Sequence, residues 1–198
     1  MTDRTLLGIV GSVSADSRTR TAVEVALDAA ADRDGVETDV LHLADYDLDT
    51  ADGRGIDNYE GDTAAALDLI VEADAYVVGT PVYRGSYSGA LKNLLDMVPR
   101  DQWQGDVAPF ENAAVGLVAT GATDHHFLAV DQELRPAFAF FGAHAVGGAT
   151  YASGDDFDDG ELVDADLRER LELLGEATVD LAAAIDESEA LGSLGPAI

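Results

Sequence analysis

Short apolar runs alternating with helix-periodic stretches constrain this chain more than any other feature. Residues 6–10, 36–43, 75–79, 113–120 and 144–151 are strand-length and rich in apolar or β-branched side chains. Between them, apolar residues recur three and four apart, as on one face of a helix. Ala22, Val23, Ala26, Leu27 and Ala30 mark such a face over residues 19–33, and Leu67, Ile70 and Val71 mark another over 63–72. A third helix is expected over 90–98. A fourth should carry Phe127, Val130, Leu134, Phe138 and Phe141 on one side, and a fifth, over 164–185, turns Leu167, Leu171, Leu174, Leu181 and Ile185 inward. Pro136 cannot donate to the carbonyl of Gln132, so a kink or bulge is expected there. Five strands alternating with five helices predict an α/β fold with a doubly wound parallel sheet. No linker or repeat divides the chain. One domain over residues 1–190 is expected, with 191–198 a loosely held tail.

The first strand-to-helix corner carries the strongest functional signal. The first apolar run stops at Gly11, and Ser12, Ser14, Ser17 and Thr19 follow before helical periodicity begins. A helix start presents free N–H groups and a positive dipole end, and hydroxyls beside it add donors; a phosphate suits such a corner. Simple capping of the helix by Ser and Thr is the alternative reading. A P-loop is excluded because no G-K-[ST] follows, and a dinucleotide fingerprint because the loop holds Gly11 alone.

In an open α/β sheet, ligands bind beyond the carboxyl ends of the strands. Two further loops should therefore converge on this corner, residues 80–89 and 121–126. The first contains Pro81, pre-set for a turn, Tyr83 at its crest, and Gly85 and Gly89, which let backbone approach a planar ligand. Its G-S-Y-S-G run places Tyr87 where a hydrolase elbow needs serine, so a serine hydrolase is rejected. His125 and His126 are adjacent in the other loop without companions at metal-ligand spacing, so they are expected at a polar rim and no metal is assigned. His42 and His144, at strand ends, are expected to do structural work.

Composition narrows the partners. The net charge is −28, and Lys92 is the only lysine. Such a surface repels nucleic acid and anionic lipid. It suits molar salt, where charges are screened beyond about 3 Å, and a halophilic protein is expected. There are no cysteines, which excludes disulfides and thiolate chemistry. The N-terminal residues lack a signal-peptide core, and the uncharged run 136–154 is broken by Pro136, Gly142, Gly147 and Gly148, so a soluble, cytoplasmic protein is expected.

Three segments in order, GSVSADSRT, GTPVYRGSYSGALKNLLDMVP and ATGATDHHFLAVDQELRP, resemble the signatures of the NADPH-dependent FMN reductase family. The likeness is strongest to the reductases of two-component alkanesulfonate monooxygenases. It implies a flavodoxin-like five-stranded sheet of order 2-1-3-4-5 with helices on both faces, binding FMN non-covalently. By position, Ser12, Ser14, Ser17, Arg18 and Thr19 would hold the phosphate. Pro81, Val82, Tyr83, Arg84 and Gly85 would border the isoalloxazine on one side, and Thr120, Gly121, Ala122 and Thr123 on the other. Ser88 and Lys92 match the SGALK segment, Lys92 lying near the subunit contact or the flavin in relatives. The chain departs from the pattern at Ser14, where relatives often carry arginine, and at Gln132, where the alkanesulfonate reductases place a tyrosine in a bulged interface helix.

The resemblance also implies the chemistry. NADPH or NADH gives hydride to flavin, and the protein supplies placement and water exclusion rather than a catalytic side chain. Arg84, His125 and His126 are candidates to meet the nicotinamide substrate. Reduced flavin would pass to an acceptor or a partner monooxygenase, from a homodimer or homotetramer. An FMN-retaining quinone, azo or metal-ion reductase is the alternative, and a one-electron flavodoxin-like carrier a further one.

Overall fold

The computed structural model describes residues 4–100, 106–148 and 150–196. The expected alternation is present: β1 (Arg4–Val10), α1 (Arg18–Ala31), β2 (Val36–His42), α2 (Gly61–Glu72), β3 (Ala75–Pro81), α3 (Gly89–Leu95) and β4 (Ala114–Thr120) follow in order. The chain continues through α4 (Arg135–Phe140), β5 (His144–Ala145), β6 (Thr150–Ala152), β7 (Phe157–Asp158), β8 (Glu161–Leu162) and α5 (Ala165–Asp186). The main sheet runs β2-β1-β3-β4-β5 with every pairing parallel, and β6 also pairs with β4. This is the flavodoxin-like order. Every residue of β4 is buried, whereas the edge strand β2 is buried only at Leu41 and His42. Continuous apolar runs therefore sit in the middle of the sheet and the alternating one at its edge.

Helices α1 and α5 cover one face. Val23 and Leu27 from α1 and Leu171 and Leu174 from α5 pack with Leu6, Val10, Val77 and Val118 of the strands. The approach is close. A Cβ on Gly175 would stand 1.9 Å from the Ala26 carbonyl oxygen, so only glycine fits that crossing. The opposite face, under α2, α3 and α4, is filled by larger side chains. Tyr76, Phe110, Phe138 and Phe141 form an edge-to-face cluster with Phe110 at its centre, its ring 4.7 Å from Tyr76 and 5.1 Å from Phe138. The Tyr76 hydroxyl donates to the Ile70 carbonyl at 2.7 Å, and burial pushes its pKa well up.

Several expectations need correction, among them Val71, which is exposed and not on the buried face of α2. The fifth strand, expected over 144–151, is split into β5 and β6, because Gly147 and Gly148 (φ +83°) interrupt the extended run. Phe127 is 55% exposed instead of inward, since a 3₁₀ turn (Asp124–His126) and a π-helix (Val130–Leu134) shift the phase of the apolar stripe. That π segment is the bulge anticipated before Pro136. After β6, β7 and β8 pair as a small antiparallel hairpin. At the C-terminal end, His144 Nε2 lies 2.9 Å from the Leu191 carbonyl, Asn112 donates to Gly192, and Gly195 donates to Asn112. Trp103 lies outside the described residues. No helix among those described is long and apolar enough to cross a membrane.

Candidate functional site

The carboxyl ends of β1, β3 and β4 lie side by side, and their three following loops are fastened together by buried hydrogen bonds. Ser88 Oγ donates to the Gly11 carbonyl, joining the second loop to the first. The same oxygen accepts from Leu91 N at 3.0 Å and caps α3. The Thr80 hydroxyl accepts from Ser88 N at 2.9 Å. Thr19 Oγ1 and Thr120 Oγ1, both buried, lie 2.6 Å apart and tie the start of α1 to the end of β4. Val82 N donates to the Thr120 carbonyl at 2.7 Å. These contacts close the floor of the site.

In the first loop, Ser17 is the N-cap of α1, its hydroxyl accepting from Arg20 N at 3.2 Å. Ser12 is buried and accepts from Ser14 N at 3.2 Å, which folds the loop over the helix start. Capping by Ser17 does not use up the donors of this helix start. One first-turn N–H is taken by Ser17, and a helix start carries further donors beyond that one. Arg18 is exposed at the first helical position, with its guanidinium 6.0 Å from the Phe157 ring centroid and beside Gly154. It bridges the first loop and the segment after β6.

The second loop makes a tight reversal. Tyr83 and Ser86 exchange backbone hydrogen bonds of 2.9 and 3.2 Å, and the two residues between them, Arg84 and Gly85, have φ of +57° and +86°. Positive φ at both central positions is the geometry of a type I′ hairpin turn. A non-glycine residue held there is strained, as residues at ligand clamps often are. The turn leaves Tyr83 59% exposed and Gly85 with open space where a side chain would stand. Ser86 Oγ donates to Glu133 at 3.0 Å, which anchors the turn to the π segment. Pro81 and Val82 lie beneath it.

The third loop is braced by Tyr151, a residue that periodicity assigns only to a strand. Its hydroxyl donates to the Thr123 carbonyl at 2.6 Å and lies over Gly121, where a Cβ would meet it at 2.0 Å. Burial, with Asp124 and Asp156 adding, raises its pKa and keeps it a donor. Gly121 N donates to the Ala152 carbonyl at 2.9 Å, and Ala122 and Thr123 are exposed beyond it. His125 accompanies Thr123, their side chains 3.0 Å apart, and both histidines are on the surface.

The structure thus divides the sequence-derived residues by what their atoms are doing. The hydroxyls of Ser88 and Thr19, both cofactor-binding candidates by resemblance, fasten loops inside the protein. Lys92 pairs with Asp96 one turn along α3. Ser14, Arg18, Tyr83 and Arg84 are exposed at the strand ends, with Ser17 and Gly85 half-buried and Ser12 buried beneath them. The donor set suits a phosphate ester, and the uncrowded backbone at Gly85 suits a flat ring, so FMN fits the residues present. One residue that sequence reasoning leaves to structure also belongs here. His42 ends β2 beside the first loop, is 1% exposed, and neither of its ring nitrogens makes a hydrogen bond. Burial lowers its pKa below the usual value, opposed chiefly by Asp45, whose carboxylate stands 3.9 Å from Nδ1.

Known proteins share this chain's sequence pattern and fold. Residues 4–158 match the family model described as NADPH-dependent FMN reductase. An NAD(P)H-dependent FAD/FMN reductase of Geobacillus thermodenitrificans is 35% identical over 167 residues, 84% of this chain and 86% of that one. An NADPH-dependent FMN reductase of Pseudomonas aeruginosa is 35% identical over 146 residues, 74% and 75% of the two chains. Among solved structures, the apo form of an NADH:FMN oxidoreductase (EMOB) superposes with a TM-score of 0.75 at 26% identity, covering 95% of this chain and 93% of that one. The chain belongs to the NADPH-dependent FMN reductase family.

Proposed function

We infer that this protein is an NAD(P)H-dependent FMN reductase. FMN, when bound, supplies the ring that takes hydride from the nicotinamide and passes electrons onward. The observation that carries the reading is the fastening of an anion-binding corner to two loops, through Ser88 to Gly11 and Thr19 to Thr120, at the ends of adjacent parallel strands. Ser12, Ser14, Ser17, Arg18 and the α1 N-terminus hold the phosphate. Residues 81–85 border one side of the ring and Thr120, Gly121, Ala122 and Thr123 the other. Arg84, His125 and His126 stand at the rim to meet NADPH or NADH. The positions of the chain's own residues do the work here, by orienting the reactants and excluding water. Mixing the pure protein with NADPH in concentrated KCl, with and without FMN, tests this. Oxidation of NADPH that saturates with FMN supports it, and oxidation independent of flavin overturns it.

Retention of FMN, with a quinone, azo dye or metal ion as acceptor, is a second reading. It is favoured by Gln132, exposed on the π segment, which cannot stack on a flavin as the tyrosine of the alkanesulfonate reductases would. Saturation with a quinone at fixed flavin would separate the two. A homodimer or homotetramer is proposed from the exposed Phe127, Leu128 and Phe140, the last of which lines a groove of about 330 Å³ with Tyr87, Leu95, Val98 and Phe141. Transfer of reduced flavin to a partner monooxygenase, and a cytoplasmic location, complete the proposal. The charge of −28 supports a halophilic protein. Stability should rise with KCl as repulsion is screened, and full stability in dilute buffer would contradict this.

A further inference from the structure

We propose that His42 is a positioning residue for the anion in the corner after β1, and that arrival of a phosphate ester there charges it, the imidazolium then donating to the Ser14 carbonyl. The inference rests on the FMN reading for the identity of the ester, but not for the chemistry of the corner. A buried imidazole with no hydrogen bond of ordinary geometry at either nitrogen is costly, and such a group in a native fold calls for a reason. Here the surroundings supply one. His42 is the last residue of β2, next to Val10 across the ladder, so it lies under the loop that Gly11 opens. Ser14 presents its carbonyl to the ring, and Arg20 and Glu24 of α1 and Asp45 of the following turn are the charged groups that act on it.

Those charges pull in opposite directions. Arg20 and Glu24 are paired at 2.7 Å, leaving Asp45 to favour the proton and burial to resist it. The positive end of α1 also resists it. An anion seated on that helix end reverses the balance, because an opposite charge nearby favours the charged imidazole. The proton comes from solvent, so binding takes up a proton. By linkage, protonation of His42 must strengthen anion binding by the same factor.

The test compares FMN with riboflavin, which lacks the phosphate, by flavin-fluorescence titration at constant high salt in the wild type and His42→Gln. From about pH 8 to about pH 6, where histidine titrates, the preference for FMN over riboflavin should grow roughly fivefold more in the wild type than in the variant. The variant comparison cancels the ester's own second protonation, which falls near pH 6. An equal pH dependence in both proteins overturns the proposal. A second measurement needs no variant: the His42 ring resonances, followed by NMR against pH with and without inorganic sulfate. Titration at higher pH with sulfate supports the proposal, and an unchanged titration overturns it. Should neither flavin bind, the FMN reading fails while the sulfate titration still decides the role of His42.

Discussion

On the face of the sheet covered by α1 and α5, the two helices close until Gly175 leaves no room for a methyl group against Ala26. On the face covered by α2, α3 and α4, the filling is aromatic, and Phe140 is left 59% exposed at its edge, with Phe127 and Leu128 also exposed ahead of the π segment. One face is finished within the chain. The other reaches its border with apolar surface still in water, next to the π segment that holds the second loop through Glu133. The difference separates a face closed by helix packing within the chain from one that keeps apolar side chains exposed. The site lies at the strand ends between them, where motions of either face would reach it.

The contrast can be broken most forcefully at Phe138, the fully buried ring packed on Phe110. Phe138→Ala should cost about 3–5 kcal/mol in denaturant unfolding at high salt. Next is Gly175→Ala on the sealed face, where the added carbon meets backbone and α5 must shift. About 3 kcal/mol is expected, against near-neutrality if the crossing is looser than described. Ser88→Ala removes both the α3 cap and the tie to Gly11. It should cost about 1–2 kcal/mol and weaken FMN binding, because the first two loops come apart; unchanged affinity would show that the tie does not shape the site.

A smaller, pH-limited effect comes from His42. Its folded pKa lies below the unfolded value, so the unfolded chain binds the extra proton. Its contribution is fully present above about pH 6.5 and is lost as pH falls below that toward the folded value. In the protein without flavin, His42→Gln should flatten the stability profile in that window. Last, Phe140→Ser should change monomer stability by no more than about 0.5 kcal/mol while shifting sedimentation toward smaller species; an unaltered assembly would move the interface elsewhere.

The alternation of apolar runs makes the sheet legible, because strands buried on both faces leave no polar residues to blur the pattern. The corner after β1 is legible for a similar reason: a strand that stops at glycine and passes into hydroxyls leaves the sheet for a helix start rich in donors. What those hydroxyls bond to is not legible. Thr19 meets Thr120, and Ser88 meets Gly11, across separations that local spacing does not encode. Tyr151 is hidden inside an apolar run, though the small Gly121 signals that something large stands over it. His42 looks like any strand-end histidine, and only the fold shows that its nitrogens are unpartnered beneath the first loop. The misplacement of Phe127 has a plain cause. A 3.6-residue period does not survive a 3₁₀ turn and a π turn, each of which changes the phase.

The central claim is that the corner at Ser12, Ser14 and Ser17 grips a flavin phosphate while the two loops fastened to it hold the ring. Calorimetric titration of the pure protein with FMN and with riboflavin, in concentrated KCl, tests it most directly. The account predicts saturable binding of FMN, with riboflavin weaker by the share of affinity the phosphate provides. Equal affinity for the two flavins, or no heat with either in protein shown to be folded, would contradict it.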